Sequence, residues 1–117
     1  MMSAPILGLG GGVQVQMDAG ADVLKIQAAT NQFWEFYTNS IGAANTTNKS
    51  LWNYFYYNIY SANAAIENIT ASTGMSEAGK NQYLGEARFL RALNYFYLVN
   101  AWGDVPLTTS SNYEYNN

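Results

Sequence analysis

Side chains able to give up a proton, attack a substrate or hold a metal are scarce in this chain. Its 117 residues include no cysteine and no histidine. That removes the thiol nucleophile, thiolate ligands, the commonest metal ligand and the commonest general base together. The carboxylates Asp18, Asp22, Glu35, Glu67, Glu77, Glu86, Asp104 and Glu114 are scattered singly, whereas glycoside hydrolysis needs two at a defined separation. The Gly8-Leu9-Gly10-Gly11-Gly12 run follows no apolar strand and misses the dinucleotide spacing. A protein that is not an enzyme, with no catalytic residue, no metal site and no cofactor, is expected.

Binding chemistry remains. Aromatic residues make up 15% of the chain and charged residues 11%, so the chain must bury rings in its own core or against something else. Trp34, Tyr37 and Asn39 fall in the least regular ring-bearing segment, and aromatics on irregular backbone are better ligand contacts than those on a buried stripe. They are the candidate ligand-binding residues. Trp52 and Asn63 lie on a helical stripe and read as structural, Asn63 as an inter-helix hydrogen-bonding residue. Arg88 and Arg91, three apart on a mostly apolar helix, need carboxylate or carbonyl partners, and Glu67, Glu86 and Asp104 are the acids available. Their expected role is structural: pinning that helix to its neighbour or to the Gly103-Asp104 turn.

Residues 1–20 carry clustered glycines and read as an irregular lead-in, with at most a short strand at Gly12-Val13-Gln14-Val15-Gln16. From Asp22 to about Ile41 the apolar residues recur partly at three and four, compatible with a helix. Gly42 to Asn48 reads as a connector, with Asn48 or Ser50 capping a second helix that carries Trp52, Phe55, Tyr56, Ile59, Ala62, Asn63, Ile66 and Ile69. Ser76 is the expected N-cap of a third helix, Glu77 to Trp102, stopped by Gly103 with Pro106 beyond. Beyond Phe89 this helix is apolar nearly all round and is expected to be buried on more than one side. Phe89, Tyr95 and Val99 call for a further layer, so a neighbouring segment is expected to be missing.

A net charge of -3, with five basic residues and no positive stripe, gives no footprint for nucleic acid. The first nine residues lack the basic region and cleavage site of a secretory signal, and their apolar run is too short to span a bilayer. The Asn-X-Ser/Thr matches at Asn45, Asn48 and Asn68 are chance products of an Asn/Thr-rich chain.

The run Gly85-Glu86-Ala87-Arg88-Phe89-Leu90-Arg91-Ala92, continuing to Trp102-Gly103-Asp104-Val105-Pro106-Leu107, resembles the most recognisable stretch of the SusD/RagB family. The preceding Trp52, Tyr56-Tyr57, Ile59, Ala62-Asn63, Ile66 and Ile69 resemble that family's preceding helix in order and spacing. The resemblance implies an all-α fold: a tetratricopeptide-like hairpin of two long antiparallel helices plus a preceding helix, a fragment of a larger helical-repeat fold. It divides the chain into a lead-in at 1–20, a SusD-like helical segment at 21–107 and a polar tail at 108–117 that begins a missing remainder. It implies non-catalytic capture of oligosaccharide at the bacterial cell surface and delivery to a SusC-like, TonB-dependent outer-membrane transporter, this chain being mainly scaffold. The full-length protein is then expected on the outer membrane, held by a lipid anchor missing from this chain. Sugar rings suit the aromatic residues, since their C–H patches lie against Trp and Tyr while their hydroxyls seek Asn, Asp or Arg. The alternative is a tetratricopeptide-like protein–protein interaction module without glycan binding.

Overall fold

The computed structural model describes residues 13–21 and 33–116. The chain forms two compact units, residues 1–51 and 52–117.

In the first unit, α1 (Val13–Gly20) replaces the loop or short strand expected there. The Val-Gln-Val-Gln alternation imitates a strand, yet Gln, Met and Ala favour helix, and the only glycine within the segment, Gly20, is its last residue. α1 lies against α2 (Trp34–Tyr37), with Ala19 and Phe36 buried. Of the helix expected from Asp22 to Ile41, residues 22–32 lie outside the described residues, and from Trp34 onward it is a single turn.

The backbone explains why α2 stops. Asn39 takes a left-handed conformation (φ 51°), its amide bonds to the Phe36 carbonyl (3.1 Å), and the Ser40 amide reaches back to Glu35 (2.9 Å). This pair of bonds around a left-handed residue is the Schellman stop, in which asparagine is the usual substitute for glycine.

The next helix, α3 (Thr46–Ala71), begins before the Asn48 or Ser50 expected as its cap. Asn45 is the cap: its Oδ1 accepts from the Asn48 amide at 2.8 Å, satisfying one of the orphan donors of the first turn. Ser50 instead donates to the Thr46 carbonyl inside the helix.

The second unit pairs the part of α3 from Trp52 onward with α4 (Glu77–Trp102), which has the expected bounds. Ser76 caps α4 by accepting from the Gly79 amide. Gly103, at φ 77°, ends it while donating to the Val99 carbonyl. The core is the stripe Phe55, Ile59 and Ala62 of α3 against Ala87 and Leu98 of α4. Each large side chain buried this way stabilises the hairpin by about 1.5–3 kcal/mol relative to exposure. Rings close one end: Phe55 stacks on Tyr97 (centroids 5.8 Å), and Trp102 meets Trp52 and Phe55 edge-on at 5.5 and 6.1 Å. Among the described residues the fold is all-α and free of strands, as expected for a tetratricopeptide-like hairpin.

The second face of α4 carries exposed apolar side chains. Phe89 and Phe96 are 65% and 61% exposed, and Leu90, Leu93 and Val99 are also exposed. Phe89, Leu93, Phe96 and Val99 recur at intervals of four, three and three, a helical stripe like the one that packs on α3. Tyr95 does not share that open face. It is half-buried, its hydroxyl accepting from the Thr108 amide at 2.6 Å.

The polar tail forms a strap across the hairpin. The Tyr56 hydroxyl donates to the Pro106 carbonyl (2.7 Å), and the Asn63 amide donates to the carbonyls of Thr108 and Ser110 (3.1 and 3.3 Å). Glu67 accepts from the Ser110 hydroxyl and from both the amide and hydroxyl of Ser111. A 3-10 turn over Tyr113–Asn116 follows.

Candidate functional site

The expected ligand contacts Trp34, Tyr37 and Asn39 come together on one structural device, the α2 turn and its stop. Trp34 and Tyr37 are one helical turn apart, which places both rings on one side. Their centroids lie 5.7 Å apart with the planes tilted by 45°, and each side chain is half-buried. The exposed Asn39 follows one residue later, its residue type one of the few that suit the left-handed backbone.

Two hydroxyls cluster at the stop of the turn. The Thr38 and Ser40 hydroxyls are 2.6 Å apart, and the Thr38 hydroxyl also donates to the Trp34 carbonyl at 3.0 Å. Sequence periodicity gave no hint of these two, because nothing in it revealed where the helix would stop; the Thr-Asn-Ser triplet after an aromatic turn was the available signal.

Glu35 braces the turn. Its Oε2 accepts from the Gly42 amide and from Asn45 Nδ2, both at 2.9 Å, so one carboxylate joins α2 to the cap of α3. The Gly42 backbone bond, then the Asn45 side-chain bond, favour the charged form and hold Glu35 below the usual carboxylate pKa, slightly opposed by desolvation. Gly20 approaches from α1: a methyl group added there would meet the Phe36 carbonyl and Asn39 Oδ1 at 3.6 Å, ordinary contact.

The residues expected to be structural divide. Trp52 joins the ring cluster at the end of the hairpin. Asn63, buried, accepts from Arg91 Nη1 at 2.9 Å while donating to the strap. Arg91 thus reaches α3 through an amide oxygen rather than a carboxylate. Arg88 and Asp104 occupy exposed positions. Glu67, one of the acids considered for the arginines, is held below the ordinary carboxylate pKa by the Ser111 hydroxyl and amide and by the Ser110 hydroxyl. Asn94, which sequence reasoning passed over, is buried between the helices, accepting from Asn58 at 3.2 Å and donating to the Leu90 carbonyl at 2.8 Å.

Among the described residues no group of three or more acidic, histidine or cysteine side chains could hold a metal, and no helix is long and apolar enough to cross a membrane. The α2 turn carries two mutually tilted rings, and its stop carries an amide and two hydroxyls. That suits a ligand with apolar C–H patches and hydroxyl edges.

A family model described as SusD-like, starch-binding and associating with the outer membrane, matches residues 13–117. The chain is 30% identical over 105 residues to the SusD-like protein P25 of Formosa agariphila, covering 84% of this chain and 20% of that protein. It is 35% identical over 75 residues to a SusD-like protein of Bacteroides ovatus and 40% over 73 residues to the SusD-like protein P38 of Formosa agariphila, in each case 62% of this chain and 14% of the relative. The chain therefore spans a fifth or less of the length of these relatives. No solved structure matches it.

Proposed function

This chain belongs to the SusD-like family, described as starch-binding and associating with the outer membrane, and on that footing we propose that it belongs to a surface protein that binds oligosaccharide without turning it over. The single observation that supports this most is the α2 turn, where Trp34 and Tyr37 offer tilted rings beside Asn39, Thr38 and Ser40. A pyranose stacked on such a ring gains dispersion contact over its C–H face, and each hydroxyl that finds an amide or hydroxyl partner adds about 0.5–1.5 kcal/mol. The α3–α4 hairpin and its strap act as scaffold. The bound sugar is then handed to a TonB-dependent transporter of the same membrane, and the protein sits at the cell surface through a lipid anchor outside this segment. Calorimetric titration of the full chain with maltoheptaose tests the reading: saturable binding without cleavage, lost in Trp34→Ala, is expected. Equal binding by Trp34→Ala and the parent chain contradicts it.

A second reading has its own support. The exposed stripe Phe89, Leu93, Phe96 and Val99 is of the kind by which helical repeats bury one another, and this favours a protein–protein interaction surface on α4. Sedimentation of the chain addresses it: a concentration-independent monomer argues against self-association through that face.

A further inference from the structure

Resting on the interaction-surface reading of α4, we propose that the partner of this face is a second copy of the chain. The two α4 helices pack antiparallel, with each phenylalanine seated opposite a small residue of the other copy. The hairpin has two unlike sides. Turned away from α4, α3 exposes Asn53, Tyr57, Tyr60 and Ser61, all with polar groups that suit water. Turned away from α3, α4 exposes Phe89 and Phe96, whose side chains have no polar atom. The α4 side is therefore the one that gains from being covered.

Along it Gln82, Gly85, Phe89, Ala92, Phe96 and Val99 follow one another at three, four, three, four and three, and all are exposed. This spacing is the seam of a left-handed helix pair crossing at about 20°. No seam residue is charged. Sizes alternate along it, since Ala92 separates the two rings and Gly85 precedes them, with open space where a Gly85 methyl group would go. Rings on one helix need gaps on the other. A parallel copy in register would set Phe89 on Phe89 and Gly85 on Gly85. An antiparallel copy, related by a twofold axis between Leu90 and Arg91, sets Phe89 opposite Ala92, Phe96 opposite Gly85 and Val99 opposite Gln82. Each ring then meets a gap, and the seam is complementary to itself. Covering Phe89, Leu93, Phe96 and Val99 on both copies removes roughly 800 Å² of apolar surface from water, and the rim brings the interface near the lower bound of about 1,200 Å² for specific complexes. The dimer is thus weak and reversible.

Sedimentation equilibrium of the full chain from about 5 to about 500 μM reads the association. Phe96→Gln removes a seam ring without touching the side of α4 that packs on α3, and should weaken the dimer about tenfold or more. Gly85→Gln favours the helix of the monomer, so the hairpin stays folded, yet it fills the gap opposite Phe96 and should weaken the dimer about tenfold as well. Orientation is read separately. The chain has no cysteine, so a spin label on Glu77→Cys is unique. Two such labels lie about 40 Å apart in the antiparallel register and about 10 Å apart in a parallel one. A monomer at every concentration overturns the proposal and leaves α4 as a surface for a protein of another sequence. A dimer that Phe96→Gln leaves intact forms elsewhere, and both the proposal and the α4 reading fall. A dimer lost in Phe96→Gln but unmoved by Gly85→Gln, or with labels near 10 Å, keeps the α4 surface while the antiparallel pairing falls.

Discussion

Arg91 and Asn63 face each other across the helical hairpin, with Arg91 Nη1 donating to Asn63 Oδ1 at 2.9 Å. The same amide donates on its other side to the carbonyls of Thr108 and Ser110. One buried side chain thereby joins α4, α3 and the strap. The amide uses its acceptor on a cation and its donor group on two carbonyls that also accept from the Tyr95 hydroxyl and from Asn116.

Replacing Asn63 with leucine keeps the branched outline of the side chain and removes both functions. Arg91 loses its acceptor and the strap loses one of its donors, so a loss of about 1–3 kcal/mol is expected. Urea denaturation measures it. A double-mutant cycle with Arg91→Met should show coupling of about 1 kcal/mol or more, since the two side chains share one hydrogen bond.

Two glycines of the same hairpin should respond with opposite signs. Gly85 lies inside α4 with open space where a methyl group would go, so Gly85→Ala should stabilise by about 0.5–1 kcal/mol. Gly103 has open space too, but its φ of 77° strains any L side chain, and Gly103→Ala should destabilise by about 1 kcal/mol. Thermal unfolding of both variants checks the contrast.

Asn39 offers a similar test in the first unit. Its left-handed backbone tolerates glycine, so Asn39→Gly should leave stability within about 0.5 kcal/mol, while Asn39→Val should cost about 1–2 kcal/mol. If Asn39 also touches ligand, Asn39→Gly weakens oligosaccharide binding with the fold intact. Circular dichroism and calorimetry on that one variant separate the two roles.

The strap should loosen in acid. Ser111 and Ser110 hold the Glu67 pKa below its ordinary value of 4.5, so the native state binds this proton less readily than the unfolded chain does. A depressed native pKa contributes stability that is fully present above pH 4.5 and is lost as pH falls through the lower native value. Denaturant midpoints measured down through that range should fall less steeply in Glu67→Gln than in the parent. An identical acid limb in the two proteins would place the acid sensitivity elsewhere, with Glu35 the next candidate since its pKa moves the same way.

The long helices were legible in the sequence because their signals agree at every level. The α4 residues carry a Ser76 cap, sustained periodicity and a Gly103 stop, and the structure uses all three. The first unit was harder, because its decisive features are single-residue backbone events. A left-handed Asn39 and a cap at Asn45 rather than Asn48 shorten one helix and lengthen another without disturbing hydrophobic spacing. The strap was missed for a different reason: it is held by backbone carbonyls and serines, which have no pattern in sequence. Apolarity around α4 was visible, but composition cannot tell a buried second face from an exposed one, and Phe89 and Phe96 prove exposed. The candidate site residues Trp34, Tyr37 and Asn39 were placed together by proximity in sequence, while the paired hydroxyls of Thr38 and Ser40 followed only from the stop geometry.

The chain's three tryptophans make the central claim directly measurable. Trp34 sits on the proposed sugar platform, whereas Trp52 and Trp102 pack against each other in the hairpin. In a maltoheptaose titration followed by the indole N–H resonances, the Trp34 signal should move saturably while those of Trp52 and Trp102 stay in place. Saturable movement of Trp52 or Trp102 with Trp34 unaffected would contradict the account.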